Sequence, residues 1–154
     1  MKVLVDTCVW SLALRRKNEG AHMSAGEIRL VAVLTEAIKD SRAMIVGPVR
    51  QEVLSGIKHV EQFEKIRERL GAFPDSAIEA TDYVQAARFD NLCRAAGVRC
   101  GGVDILLCAV ATRNEWTILT KDEGLMSCIE AIERHGPNTQ PERRGWRLLE
   151  IVQV

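Results

Sequence analysis

Asp6 closes a short apolar run, Val3-Leu4-Val5, in the stretch "VDTCVW". A carboxylate at the end of a buried strand loses much of its hydration, so something must repay it. Three further acids stand in comparable places. Glu52 lies in "GPVRQEVLSG" just beyond the apolar run Met44-Ile45-Val46. Asp104 opens the strongly apolar "GGVDILLCAVA", and Asp122 follows Thr117-Ile118-Leu119-Thr120 in "TILTKDEGL". Gathered at one edge, four acids repel and raise one another's pKa unless a cation sits among them. Oxygen-only ligands select a hard ion, Mg²⁺ or Mn²⁺, over zinc. Such an ion activates water, neutralises a phosphate and stabilises a leaving oxygen, which is the equipment of phosphodiester hydrolysis.

Taken singly, each acid also has an ordinary reading. Asp6 and Asp104 would serve as helix caps. Thr120-x-x-Glu123 matches a capping box, which would put Asp122 in a first turn favoured by the helix dipole. Glu52 would be a solvated first-turn residue. The joint pattern carries the chemistry.

The elements that must position these acids alternate. Val3–Val5, Met44–Val46 and Thr117–Thr120 read as strands, with further strands expected near Ala72-Phe73 and over Arg147–Val152. Continuous β-branched runs suit a parallel sheet covered on both faces. Ser24-x-x-Glu27 and Ser76-x-x-Glu79 have the spacing of capping boxes, and Pro48 suits the first turn of a third helix. Gly97 ends the helix that begins near Ser76 or Thr81. Residues 105–111 are apolar all round, which places their helix at the centre. The expectation is one domain over residues 1–154, a three-layer α/β/α sandwich with a mostly parallel central sheet. In open sheets of this class, sites form beyond the carboxyl ends of the strands.

Composition narrows the function. Lys plus Arg and Asp plus Glu each number 21 in 154 residues, so no global basic field advertises salt-driven binding of nucleic acid. Apolar residues are 47% and charged residues 27%, a globular balance with no stretch long enough to span a membrane. Five cysteines at 8, 93, 100, 108 and 128 form no CxxC pair and no regular framework. With an N-terminal apolar run too short for a secretion signal, they point to a reducing cytoplasm.

Together, Asp6-Thr7 after an N-terminal strand, "RQEVLSG", "VDILLCAVA" and "ILTKDEGL" resemble the PIN-domain nucleases, and most nearly the VapC-type toxins of toxin–antitoxin pairs. The motifs span residues 1 to about 126. The resemblance implies a divalent-metal ribonuclease whose acids are Asp6, Glu52, Asp104 and Asp122. Asp6, Asp104 and Asp122 would hold Mg²⁺ or Mn²⁺, and Glu52 would complete the site or position the attacking water. Thr7 and Thr120 would support the metal site. A cognate antitoxin and a homodimer are implied too. Two letters depart from the pattern: Cys8 stands where Ser or Asn is usual, and Glu123-Gly124-Leu125 where an aromatic often follows.

Basic residues read two ways. Arg15-Arg16-Lys17 suits a solvated helix end, or an edge facing RNA or the antitoxin. Lys121 and Arg113 would meet phosphates, or lie on the surface. Trp10 and Trp116 read as core or interface anchors. A phosphorelay receiver needs an acid pair after the first strand and an Asp after a middle one, neither of which is here. A haloacid-dehalogenase-type phosphatase needs Asp-x-Asp, whereas Asp6-Thr7-Cys8 supplies one acid. A catalytically inactive PIN-like interaction module is the non-enzyme alternative.

Overall fold

The computed structural model describes residues 1–16 and 22–136. The expected strand at 147–152, the loop beyond Gly136, Lys17 and the side chain of Arg16 lie outside the described residues.

Three short strands form a parallel sheet in the order β2–β1–β3. They are β1 (Val3–Val5), β2 (Ala43–Met44) and β3 (Thr117–Leu119). Val5 is paired with Leu119, and the amide of Asp6 donates to the Leu119 carbonyl at 3.0 Å. That register places Asp6 and Thr120 side by side where both strands end. A strand near Ala72-Phe73 does not form. The chain instead makes a single parallel bridge between Ile45 and Asp75. Arg50 pins this loop, with Nε on Asp75 Oδ1 at 2.9 Å, Nη1 on the Leu70 carbonyl and Nη2 on the Phe73 carbonyl.

Seven α-helices surround the sheet in the described residues: α1 (Thr7–Ser11), α2 (Ala25–Lys39), α3 (Gly47–Leu54), α4 (Val60–Leu70), α5 (Ala80–Ala95), α6 (Gly102–Asn114) and α7 (Glu123–His135). A π-type turn over Leu12–Arg16 continues α1. The helices pack in two groups, α1–α4 and α5–α7. Between them, β1 is buried throughout and Ile105–Ala111 of α6 are all buried, as an all-round apolar segment requires. Trp10 is a core anchor, fully buried with its ring 4.9 Å from that of Phe73.

Helix starts follow local chemistry more closely than sequence spacing. The Ser24–Glu27 capping box forms as expected, and Gly47-Pro48 opens α3. The Ser76–Glu79 box does not form. Ser76 is drawn toward the bridge by its amide bond to the Ile45 carbonyl, and α5 starts at Ala80 on a box of Glu79 and Asp82. Gly97 accepts a φ of +77° where α5 ends, a conformation that costs glycine nothing.

Two of the five cysteines, for which the sequence showed no regular framework, are paired. Cys100, just before α6, is bonded to Cys128 in α7, with Cα atoms 5.9 Å apart. Cys93 and Cys108 are buried thiols, and Cys8 is partly exposed. No helix among the described residues is long and apolar enough to cross a membrane.

Candidate active site

Asp6 is buried to 4% exposure, and its carboxylate is fully engaged. Oδ1 accepts from the Thr7 amide at 2.7 Å, so Asp6 does cap α1. Oδ2 accepts from Thr120 Oγ1 at 2.7 Å and from Cys8 Sγ at 3.3 Å. Donors of this kind replace lost hydration and hold a buried carboxylate in one orientation. Burial first, and then the Asp6 charge, push the Cys8 thiol up to about 11. The sulfur therefore keeps its proton at neutral pH and donates it. On its other side Cys8 Sγ accepts the Lys121 amide at 3.5 Å.

Thr120 joins two of the acids. Its hydroxyl donates to Asp6 and accepts from the Asp122 amide at 3.0 Å. The expected Thr120–Glu123 capping box gives way to a different start, because Asp122 itself caps α7 and accepts the Leu125 amide at 2.8 Å. Thr7 reaches across to α3, donating from Oγ1 to Glu52 Oε1 at 2.7 Å. A hydroxyl anchored beside Asp6 thus fixes an otherwise exposed acid.

Asp104 stands apart. It lies in the first turn of α6 without being the cap, a position that Gly101 holds. Its carboxyl has no hydrogen-bond partner among the described residues. Burial, and then the charges of Asp6, Asp122 and Glu52, push it up to about 6. Asp104 is therefore within electrostatic reach of each of the other three acids. A Cβ on Gly101 would come 3.2 Å from Asp104 Oδ2, so the glycine keeps the space beside this carboxylate open.

These residues fit a hard divalent cation by donor chemistry. They offer carboxylate oxygens, one of them pushed up to about 6 by burial and by the neighbouring acids. Two of the acids sit at helix N-termini, where the dipole helps to carry their negative charge. As the side chains stand, no three of His, Cys, Asp or Glu among the described residues converge on one ion position. Asp6, Asp104 and Asp122 are the groups that would close on one.

The basic candidates separate. Arg113 is engaged by acids of the fold. It forms a fork on Asp82 at 2.8 and 2.9 Å, pairs with Glu79 at 3.2 Å and caps the Ala77 carbonyl at 3.0 Å. Arg15 lies in the π-type turn after α1. Lys121 pairs with Glu27 Oε1 at 2.8 Å. Sequence reasoning saw Glu27 only as the third residue of a capping box, and nothing in the linear chain announced its partner 94 positions away.

A small parallel α/β domain with its acids at the carboxyl ends of neighbouring strands is the class these features define. The PIN-domain family profile matches residues 3–127, and the chain belongs to that family. PIN domains are generally nucleases. Among solved structures, the crystal structure of FitAcB from Neisseria gonorrhoeae is similar in fold. It shares 16% identity and a TM-score of 0.64 over 82% of this chain and 93% of that one. No curated protein matches the chain.

Proposed function

We propose that the chain is a Mg²⁺- or Mn²⁺-dependent endoribonuclease, the toxin of a toxin–antitoxin pair, acting in the cytoplasm as a homodimer that a cognate antitoxin restrains. The observation that carries the nuclease reading is Asp104, an acid without a hydrogen-bond partner among the described residues, pushed up to about 6 by burial and then by three other carboxylates. A fold would gain nothing by gathering uncompensated charge in this way unless a cation or a cationic substrate completed it. The toxin reading rests on the order and spacing of the four motifs, and the likeness to FitAcB supports the fold that carries them.

In this reading Asp6, Asp104 and Asp122 hold the metal. A bound ion would supply Lewis-acid activation of the phosphodiester and of water. Thr120 and Cys8 keep Asp6 in one rotamer, so the first ligand needs little reordering. Glu52, aimed by Thr7, positions the attacking water and takes its proton. Leu119, whose carbonyl accepts the Asp6 amide, and Ile105, which follows Asp104, are both buried.

The test is cleavage of a fluorogenic RNA in Mg²⁺ or Mn²⁺ by wild type, Asp6→Asn and Asp104→Asn. Loss of cleavage in both variants with unchanged circular dichroism is expected. Cleavage at the wild-type rate by either variant would sink the assignment. Equal cleavage of a DNA of the same sequence would correct the substrate class.

A further inference from the structure

Lys121 lies in the chain between Thr120 and Asp122, yet its ammonium forms no ion pair with any of the four acids. It turns to Glu27 at the start of α2, with Nζ 2.8 Å from Oε1. Glu27 is itself held, because its other oxygen accepts the Ser24 amide at 3.2 Å within the capping box. Its side chain is 16% exposed against 34% for Lys121, so the anchored acid is the more buried partner. The root of Lys121 is fixed against Cys8 by its amide, and Cys8 touches Asp6. A flexible four-carbon stem rooted there has the acid cluster within its range.

Electrostatics alone would draw the ammonium inward. A lysine among four carboxylates would neutralise them and occupy the place of the cation. We propose that Glu27 is a positioning residue that holds Lys121 out of the acid cluster and presents its ammonium at the rim, as a contact for the phosphodiester of an incoming RNA. The inference rests on the metal-dependent ribonuclease reading and adds to it a residue outside the four acids. It also gives the α2 capping box a second use, since the glutamate that accepts the Ser24 amide is the one that restrains the lysine.

The test is a double-mutant cycle on metal binding. Mn²⁺ alone is titrated calorimetrically into full-length wild type, Glu27→Gln, Lys121→Met and the double variant. Glutamine keeps the cap geometry and removes only the charge. The expected result is that Glu27→Gln weakens Mn²⁺ binding about tenfold, the size of one added positive charge near the ion. Lys121→Met should stay within about twofold of wild type, and the double variant should regain wild-type affinity. A purely structural role for Glu27 would leave the double variant as weak as the single one, and that result overturns the positioning role, as does an unaltered Glu27→Gln. If wild type itself binds no Mn²⁺, the metal reading fails and the inference falls with it.

A second arm isolates the phosphate contact. Binding of a fluorescent single-stranded RNA, without divalent metal, is followed across a KCl series. Loss of one phosphate contact should lower the slope of log affinity against log salt by about 0.7 in Lys121→Met. Lys121→Arg should restore it. Equal slopes for wild type and Lys121→Met would remove the lysine from the RNA contact while leaving the nuclease reading standing.

Discussion

The two ends of α6 carry opposite solutions to the same problem. At its C-terminal end, Arg113 meets Asp82, an acid only 1% exposed, with two short bonds in a fork. The guanidinium, and then the Glu79 amide, hold Asp82 well below the usual carboxylate range. At its N-terminal end, burial and then the like charges of Asp6, Asp122 and Glu52 push Asp104 up to about 6, with no cationic side chain paired to it among the described residues. One buried acid is satisfied within the fold, and the other is left for something from outside. A charge whose partner is built in marks structure, whereas a charge whose partner is missing marks a site.

The largest expected effect falls on the unsatisfied end. Asp104→Asn should lower RNA cleavage by about 10³-fold, since a metal contributes several kcal/mol of transition-state stabilisation. Arg113→Met should spare the chemical step in folded protein, so cleavage per folded molecule, assayed well below the melting temperature, should remain near wild type. Were the two variants to lose activity equally, the contrast between the ends would be void.

Stability should answer the other way. Arg113→Met strands the Asp82 charge in the interior, and breaking such a pair costs about 3 kcal/mol. Urea denaturation at neutral pH measures it. The sign with pH follows from the direction of the shift. A depressed folded pKa means that Asp82 contributes stability above its unfolded value, and that contribution is lost as pH falls through the folded pKa. The gap between wild type and Arg113→Met should therefore narrow in strong acid.

Asp104 reverses this sign. Its folded pKa is raised, so the folded protein holds a proton that the unfolded chain has already released. Between the unfolded value near 4 and the folded value of about 6, stability falls as pH rises, and it levels off above. Asp104→Asn removes the penalty. Without added metal the variant should melt as more stable than wild type at pH 7.5, by about 1 kcal/mol once solvent screening of a partly exposed group is allowed for. At pH 4 the two should coincide. A variant less stable than wild type at pH 7.5 would mean that Asp104 has a partner in solution.

The two ends were not equally legible in the sequence. Asp6 and Asp122 stood out because each ends a short apolar strand, and the parallel register of β1 with β3 needs only those runs to bring them together. Asp104 stood out by opening an unbroken apolar helix. The Asp82–Arg113 pair was unreadable, since 31 residues separate two polar letters whose meeting depends on how α5 packs on α6. The same limit hid the bond between Cys100 and Cys128. The Ser76 box misled for a local reason. Its spacing was right, but the bridge at Asp75 holds that stretch extended, and the less favoured cap Glu79 begins the helix.

The smallest effect belongs to Cys8, and it shows how far the acid end depends on its donors. Asp6 Oδ2 receives a strong bond from Thr120 at 2.7 Å and a weak one from the Cys8 thiol at 3.3 Å. Asp82, by contrast, is gripped on both oxygens by a charged fork, with the Glu79 amide beside it. Cys8→Ala should remove the weaker donor to Asp6 and the distant acceptor for the Lys121 amide, with a loss of about 0.5–1 kcal/mol in orienting Asp6, read as a few-fold weaker Mn²⁺ affinity. Cys8→Ser keeps a donor and should bind at least as tightly as wild type. Thr120→Val, which deletes the strong bond and the acceptor for the Asp122 amide together, should cost more than Cys8→Ala. If Cys8→Ala proved the more damaging, Asp6 would be held by the sulfur rather than the hydroxyl, and the thiol would be the principal orienting group of the site.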